Sequence, residues 1–439
     1  MPAAQTQALR LVELLPELER VVVVERRPAD QFFAACCRMH HEWGSRDRRL
    51  FGDALFAYFR WRGWLAGLPP ARALALAGWL DGLQHPALRE LAAQAGLTLP
   101  AATPDTLAGK AQALSGLLGT TKDIAALLPD WTRPLLATTD ASVQQYLEAF
   151  QRRPPVWLRV APEQVPAVLE FFNQPGPRAT AHPRVPGAVA VTPPANLQGL
   201  RAATAVAAIV QDLASQCVGR LCEPRPGEHW WDVCAGAGGK TLHLAALMQN
   251  RGGLLATDVR SGALRELERR AAEAGVTMVQ TQRITDEGLV TGGECRGARD
   301  AGRGTRDTRP ETRDEPTFDG VLVDAPCSGI GTWNRNPDMR WRTDAAEVSA
   351  KAAIQSELLG RAAQSVRPGG ALLFVVCTVT TAETTDVTDA FSRAHPEFQP
   401  EATAHPLTGE IQNGVFWVWP WVGPCDGMFI ARWRRAVKN

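Results

Sequence analysis

Two cysteines and a glycine-rich turn are the parts of this sequence whose residue types and placement could do chemistry. Cys327 follows the apolar run FDGVLVDA, and Cys377 ends the apolar run ALLFVVC, so both should lie at the ends of strands. The turn CAGAGGKT follows a third predicted strand, EHWWDVCA. In an open α/β sheet, ligands bind beyond the carboxyl ends of the strands, so the three segments should meet in one crevice. A nucleotide-like cofactor beside two thiols indicates covalent thiol chemistry on an electrophilic ring, with a group donated by the cofactor.

The glycines of residues 234–240 would let a nucleotide approach the backbone closely, and three cofactors can be compared. A Walker loop for ATP requires glycine where Cys234 stands. The dinucleotide pattern G-x-G-x-x-G fits Gly236 and Gly238 but has Thr241 in the third place, which weakens the case for NAD. S-adenosylmethionine has no pyrophosphate and tolerates this looser form. A tight structural turn without a ligand is the remaining alternative.

The first acidic residue after the next predicted strand is Asp258, which is well placed to accept hydrogen bonds from ribose hydroxyls. Only five of the 47 basic residues are lysines, so a lysine in the turn departs from the chain's own preference for arginine. The predicted cofactor site comprises Asp258 and the turn residues Cys234, Ala235, Gly236, Ala237, Gly238, Gly239 and Lys240.

Methylation of a pyrimidine at C5 is a reaction that suits two thiols, because C5 of the aromatic ring is a poor nucleophile. Attack by a thiolate at C6 makes C5 nucleophilic, and loss of the C5 proton with elimination of sulfur later restores aromaticity. The reaction needs a thiolate, an acid near N3 and a base, and Cys377, Asp324 and Cys327 can supply them from adjacent strand ends. The alternative is that either cysteine is simply buried, since free cysteine packs as a small apolar side chain.

The ordered segments DVCAGAGGKT, ATDV, DAPCSGIGTWNRNPDMRW and VVCTVTTAE resemble the motifs of Sun-family RNA (cytosine-5)-methyltransferases, the bacterial RsmB-like group, over residues 205–434. The resemblance implies a class I, seven-stranded Rossmann-like methyltransferase domain that uses S-adenosylmethionine. It implies cytosine in structured RNA as the substrate, with ribosomal RNA the first choice and transfer RNA the second. It also places Asp286 near the adenine of the cofactor and gives Asp324 a place in the cofactor site.

The sequence departs from the family pattern at three places. Ala237 stands where the family has proline, and Val376 and Thr378 flank Cys377 where the family has S-T-C-S. The Gly- and Arg-rich insertion at 289–317 is longer than the expected loop. DNA cytosine methyltransferases take their nucleophile from a Pro-Cys motif, which would make Cys327 the nucleophile. A second strand-end cysteine followed by TTAE favours the RNA type. An RNA-binding assembly factor with a degenerate methyltransferase fold is the non-enzymatic alternative.

Three regions are predicted. Residues 1–145 show helical spacing and resemble, loosely, a NusB-like domain; residues 150–200 form a small α/β module whose PPVWLRV segment resembles an RNA-binding subdomain. In residues 201–439 strands and helices alternate, which is typical of a parallel sheet with helices on both faces.

We expect LRAATAVAAIVQDLASQCVGRL to form one helix and the last two strands to form an antiparallel edge hairpin. The N-terminal half should capture RNA without contributing to chemistry, so a chain starting near residue 200 should still bind the cofactor.

The composition limits the partners, the cellular location and the metal content that can be expected. A net charge of +1 neither requires nor excludes nucleic acid as a partner. No apolar run approaches the 18 residues that a membrane span requires, and no secretory signal is recognisable at the N-terminus. The nine cysteines lack zinc-finger or disulfide spacing, so we expect no metal and a reducing, cytoplasmic environment.

Overall fold

Helices account for the first third of the chain. The computed structural model describes residues 3–137, 140–176, 178–192, 195–284 and 317–437, so Asp286 and residues 289–316 of the predicted insertion lie outside the described residues. A π-helical turn at Arg20–Val24 continues the first helix, and 3-10 turns lie at Ile124–Leu127 and Arg133–Leu135. The α-helices are α1 (Ala3–Glu19), α2 (Ala29–Met39), α3 (Ser45–Leu65), α4 (Pro70–Leu80), α5 (Pro86–Gln94), α6 (Leu107–Leu118) and α7 (Asp140–Phe150). Among the described residues, none of the helices combines the length and apolar character that crossing a membrane would require.

A small antiparallel sheet follows the helices. Its strands run in the order β2-β3-β1-β4, and the module's two helices pack their apolar faces into the same core, which contains Leu158, Val168 and Leu200. The elements are β1 (Val156–Arg159), α8 (Val165–Phe172), β2 (Ala179–Ala181), β3 (Ala188–Val191), α9 (Leu197–Thr204) and β4 (Ile209–Val210). The fourth strand lies beyond residue 200, so this sheet draws on residues that sequence analysis placed in the next region.

The prediction of a single helix across residues 200–221 is wrong, because the segment contains two helices separated by β4. Helix α9 ends at Ala205, which adopts a left-handed conformation with φ of 58°. Strand β4 then pairs with β1, and Asp212 caps α10 (Leu213–Cys222) by accepting a hydrogen bond from the backbone N–H of Ala214 at 2.9 Å. The Ala- and Val-rich run gives no clear period, so tertiary pairing decides its conformation.

The large sheet has the order β10-β14-β9-β8-β5-β6-β7, with parallel pairing from β9 to β7. Strand β14 is antiparallel to β9, and its other edge pairs with β13 in one half and β10 in the other. The remaining elements are β5 (His229–Asp232), α11 (Gly239–Leu247), β6 (Gly253–Asp258), α12 (Ser261–Glu273), β7 (Val279–Arg283), β8 (Phe318–Asp324), α13 (Met339–Arg342), α14 (Ala345–Gln364), β9 (Val366–Val376), α15 (Thr385–Ala394), β10 (Phe398–Pro400), β11 (Ala402–Ala404), β12 (Ile411–Asn413), β13 (Val415–Val418) and β14 (Met428–Arg435).

Strand β9 shows why this sheet is covered on both faces. Its side chains alternate, so that Leu373 and Val375 pack with α10 and α11, whereas Leu372 and Phe374 pack with α14 and α15. A sheet seven strands wide with helices on both faces confirms the predicted Rossmann-like class. The last two strands are antiparallel as expected, but β14 lies inside the sheet, whereas β13 lies at its edge.

The helical region shares its core with the segment that follows Cys327. Ile330, Trp333 and Val379 belong to the same apolar cluster as the buried side chains of the N-terminal helices. Backbone hydrogen bonds also join the two regions, from Ala137 N to Val379 O at 2.8 Å and from Thr381 N to Leu135 O at 3.0 Å. These contacts place the helical region against both cysteine-bearing segments.

Arg340 is the clearest link between the two regions. Its side chain is fully buried and donates hydrogen bonds to the carbonyl oxygens of Leu127 at 2.8 Å and of Arg60 and Phe150 at 3.4 Å. Its guanidinium also lies over the rings of Phe150 and Trp333. The N-terminal half therefore supports the segment next to Cys327, and its role in RNA capture stays a prediction.

Candidate active site

The two predicted thiols lie together where β8 and β9 end. The strands are parallel neighbours with Asp324 paired to Val375, so Cys327 and Cys377 emerge at the same edge of the sheet. Their sulfur atoms are 3.3 Å apart, and both side chains are half-buried. The convergence expected from the parallel-sheet rule is thus present, with a separation short enough for both sulfurs to reach one small ring.

Lys240 joins the cofactor turn to the strand end that carries Asp324. Its Nζ donates to Oδ2 of Asp324 at 2.6 Å, and the two side chains are 13% and 29% exposed. Burial alone would lower the pKa of Lys240, but the attraction and hydrogen bond of the Asp324 carboxylate outweigh it and raise that pKa. The ammonium group therefore stays protonated beside the carboxylate.

The two thiols have different electrostatic surroundings. Cys377 interacts with the positive charges of Lys240 and Arg335. The hydrogen bond to Cys377 and burial raise the pKa of the Cys327 thiol, and the negative charge of Glu383 adds to this effect. Cys327 therefore holds its proton more tightly than a free thiol does, whereas a thiolate formed at Cys377 would face two cations.

A buried acidic pair beside the thiols has no counterpart among the predicted site residues. Oδ1 of Asp212 accepts from the backbone N–H of Asp426 at 3.1 Å, and Arg335 Nε donates to Oδ1 of Asp426 at 3.0 Å. Burial and the neighbouring Asp212 raise the pKa of Asp426 to about 7, and burial also raises the pKa of Asp212. Asp212 lies in the run LRAATAVAAIVQDLASQCVGRL, for which the sequence pattern predicted only a helix.

One member of this pair, Asp212, borders a cavity between the regions of the chain. Asp212 and Arg335 line a space of about 710 Å³, which also touches the helical region through Arg48 and Arg49 and the small module through Trp157. All three regions of the chain therefore contribute to its walls.

The glycine-rich turn joins β5 to α11 and leaves its backbone open. Gly236 and Gly238 have φ values of 56° and 82°, and a Cβ at Gly238 would lie 2.1 Å from Cδ1 of Leu267. A Cβ at Gly239 would meet no atom within 4 Å, so there is free space beside the turn. Glycine is thus required at Gly238 for packing and leaves room at Gly239 for a ligand.

The other turn residues support this shape. The backbone N–H of Ala235 donates to Thr257 O at 2.8 Å, and Arg270 donates to the carbonyl of Ala237 at 2.6 Å. Cys234 is half-buried, and burial raises the pKa of its thiol, so it has no sign of reactivity. Gln211 donates to the carbonyl of Gly239 at 3.1 Å and so connects the turn to the small module.

Asp258 lies at the end of β6, directly against the turn. Its Oδ2 accepts from the backbone N–H of Gly236 at 2.8 Å, and Arg260 donates to both carboxylate oxygens. Burial would raise the pKa of Asp258, but hydrogen bonds from Arg260 and Gly236 lower it overall. The Arg260 side chain is 69% exposed, so it can move aside for a ligand hydroxyl.

The open backbone of the turn and the carboxylate at the next strand end fit S-adenosylmethionine. Residues 234–240 would surround the methionine end, and Asp258 would accept from the ribose hydroxyls. Asp324, on the neighbouring strand end, is held in this crevice by Lys240. In the described part of the chain, no group of three or more His, Cys, Asp and Glu side chains is arranged to hold a metal ion.

We expect Asp258→Ala to weaken S-adenosylmethionine binding by about 1–3 kcal/mol, because it removes a buried acceptor from the ribose site. Isothermal titration calorimetry measures the change directly. Asp319→Ala is the matched control, since Asp319 lies near the start of β8 and bonds to His229 N and Arg367. Equal affinities for wild type and Asp258→Ala would remove Asp258 from the site.

Comparison with known proteins agrees with this arrangement. Residues 220–434 match the family described as 16S rRNA methyltransferase RsmB/F. Over 231 residues the chain is 31% identical to a Bacillus subtilis (strain 168) protein named probable ribosomal RNA small subunit methyltransferase B, which covers 52% of this chain and 47% of that relative. The chain thus matches about half the length of this curated relative.

Two solved structures share the fold. The crystal structure of PH0851 superposes with a TM-score of 0.68 at 22% identity and covers 98% of both chains. The structure of NSun6 from Pyrococcus horikoshii with SFG gives a TM-score of 0.51 at 18% identity, covering 68% of this chain and 95% of the other. Residues 220–434, which hold the two thiols and the cofactor turn in one crevice, form a methyltransferase domain of the RsmB/F family.

Proposed function

We propose that this protein transfers a methyl group from S-adenosylmethionine to C5 of a cytosine in structured RNA, through a covalent bond between Cys377 and ring C6. Ribosomal RNA is the first candidate substrate and transfer RNA the second. The observation that carries the proposal is the 3.3 Å separation of the Cys327 and Cys377 sulfurs at two strand ends, beside the Lys240–Asp324 pair. Two further findings support it. The Bacillus subtilis relative is named a probable ribosomal RNA small subunit methyltransferase B. The neighbour from Pyrococcus horikoshii was solved with SFG, an S-adenosylmethionine analogue.

Cys377 is the nucleophile in this proposal. Its thiolate sulfur bonds to C6 as the C5=C6 π electrons shift to C5 and through C4 to N3, and the positive charges of Lys240 and Arg335 lie on the side of Cys377. Cys327 lies next to an anion and a second thiol, so it is the weaker nucleophile. This asymmetry argues against the DNA-type arrangement, in which Cys327 would attack.

Asp324 and Lys240 handle the charge that attack creates on the ring. A proton at N3 neutralises it, and we assign its delivery to Asp324, whose carboxylate accepts a hydrogen bond from the Lys240 ammonium and passes the proton of that ammonium on to N3. When bound, S-adenosylmethionine supplies an electrophilic methyl group. The C5 proton then passes to Cys327 in its thiolate form, and the bond between Cys377 and C6 breaks with its electron pair on the Cys377 sulfur. The C5=C6 double bond returns, and N3 gives its proton back through Asp324.

The target base must leave its stack to reach the thiols. Extruding a paired base costs roughly a few kcal/mol, whereas a loop nucleotide avoids much of this cost, which favours structured RNA with an exposed cytosine. The cavity of about 710 Å³ that Arg335 lines provides space for nucleotides that flank such a base.

Transfer of labelled methyl groups tests the proposal. With methyl-labelled S-adenosylmethionine, we expect label in RNA, recovered as 5-methylcytidine after nuclease digestion and chromatography, and more from small-subunit ribosomal RNA than from transfer RNA. DNA of matched sequence is the control. Label in DNA alone would favour the DNA-type enzyme, and RNA binding without any transfer would favour an assembly factor.

A further inference from the structure

Glu383 is a buried carboxylate to which the segments around both cysteines are attached. It has no exposed surface, yet it accepts five hydrogen bonds. Its Oε1 accepts from Ser328 N at 2.8 Å and Gln355 Nε2 at 3.1 Å. Its Oε2 accepts from the hydroxyls of Ser328 at 2.5 Å, Thr378 at 3.0 Å and Thr380 at 2.9 Å. One side chain therefore joins Ser328 and Thr378, which are 50 positions apart in the sequence.

The partners of Glu383 are the immediate neighbours of the thiols. Ser328 follows Cys327, and Thr378 follows Cys377. Gln355, on α14, also donates to the carbonyl of Pro326 at 3.0 Å, so Cys327 is held from both sides. The carboxylate thus restrains the backbone beside both sulfurs.

The chemical nature of these contacts points to more than packing. Among the described residues, the hydrogen-bond partners of Glu383 are hydroxyls, an amide and a backbone N–H, and none of them is a cation. Burying a carboxylate without a positive partner is costly unless every acceptor site is satisfied, and an apolar side chain would usually fill such a space at lower cost. A polar network of this kind specifies one geometry.

We propose that Glu383 is a positioning residue that sets the separation between Cys327 and Cys377. The inference rests on the proposed function for its purpose, because both sulfurs must act on the same edge of one cytosine, one at C6 and one near the C5 proton. Misplacing either group by about 1 Å can cost on the order of a hundredfold in rate. The departure from the family pattern at Val376 leaves this network intact, since Thr378 still provides a hydroxyl.

The separation of the thiols can be measured without RNA or cofactor. Diamide takes two electrons and two protons from a thiol pair and leaves a disulfide, at a rate that depends on how often the sulfurs are in contact. We expect Glu383→Ala to form the Cys327–Cys377 disulfide about tenfold more slowly than wild type, because the two segments are no longer tied. Glu383→Gln should fall between them, since its amide retains one acceptor oxygen. Peptide mass mapping under non-reducing conditions follows the rate.

Glu401→Gln is the matched control. Glu401 lies in the same domain and binds Arg432 and Arg434, away from the cysteines. The Glu401→Gln variant should therefore form the Cys327–Cys377 disulfide at the wild-type rate. A wild-type rate in Glu383→Ala would overturn the inference. If Glu383→Ala does not fold, the double variant Ser328→Ala and Thr378→Val removes the two hydroxyls next to the thiols, and an unchanged rate there would overturn it equally.

The two proposals fail in different ways. If wild type transfers no methyl group while its disulfide rate depends on Glu383, the proposed function is wrong and the positioning role remains. If wild type methylates RNA while the rate of disulfide formation does not depend on Glu383, the positioning role is wrong and the proposed function remains.

Discussion

Cys377→Ala should give neither methylated RNA nor a covalent enzyme–RNA adduct, whereas Cys327→Ala should accumulate an adduct that resists denaturant. The difference follows from the order of the steps. Without the Cys377 sulfur the bond to C6 cannot form, so no intermediate exists to be methylated. Without Cys327 the attack and methyl transfer still proceed, but release of the C5 proton and of the enzyme slows, so the intermediate is trapped.

A denaturing gel separates these outcomes, because a protein joined to RNA migrates more slowly than the free chain. Asp324→Asn should slow the appearance of adduct in a Cys327→Ala background, since attack would leave negative charge on the ring without an acid at N3. Cys37→Ala is the control, as this half-buried thiol lies in α2 and should behave like wild type. Adduct in Cys377→Ala with none in Cys327→Ala would reverse the two roles and support the DNA-type arrangement.

Arg340→Met should lower the free energy of unfolding by about 1–3 kcal/mol and reduce methyl transfer. The variant removes the hydrogen bonds of Arg340 to three carbonyl oxygens, and the loss of buried hydrogen bonds usually costs free energy of this size. Burial and the neighbouring Arg60 lower the pKa of Arg340 to about 9, so the wild-type residue already carries a desolvation cost that limits the loss. Chemical denaturation measures the change.

Arg361→Met is the matched control for Arg340. Arg361 forms an exposed pair with Glu357 on α14, and exposed ion pairs contribute about 0–1 kcal/mol. Equal stabilities for the two variants would show that Arg340 does not couple the regions. By the same reasoning, a chain starting near residue 200 should lose the ordered segment around Trp333 and with it methyl transfer, even where the cofactor turn folds.

The sequence by itself determined the parts of this protein that depend on short stretches of chain. A strand, a glycine-rich turn and a helix follow one another within residues 229–247, so the turn and its position beside Asp258 could be predicted from local pattern. The strand ends that carry Cys327 and Cys377 could be predicted for the same reason. The parallel-sheet rule then placed all of them at one edge, and the structure shows them there.

Where the local pattern was weak, the prediction was wrong. The Ala- and Val-rich segment before Asp212 fits a helix as well as a strand, and pairing of Val210 with Leu158 decides its conformation. The same uncertainty hid the boundary of the small module. Asp212 itself could be noted only as part of a motif, because its partner Asp426 is 214 residues away in the sequence.

Only the tertiary structure decided which side chains hold the residues of the site in place. Arg340 finds its carbonyl partner Leu127 across 213 residues, and Glu383 meets Ser328 across 55. Buried arginine and glutamate are not identifiable from periodicity, since such side chains are usually exposed and become buried only when distant donors and acceptors converge on them. Residue type and strand position therefore predicted which groups could react, and long-range packing decided how far apart they are held.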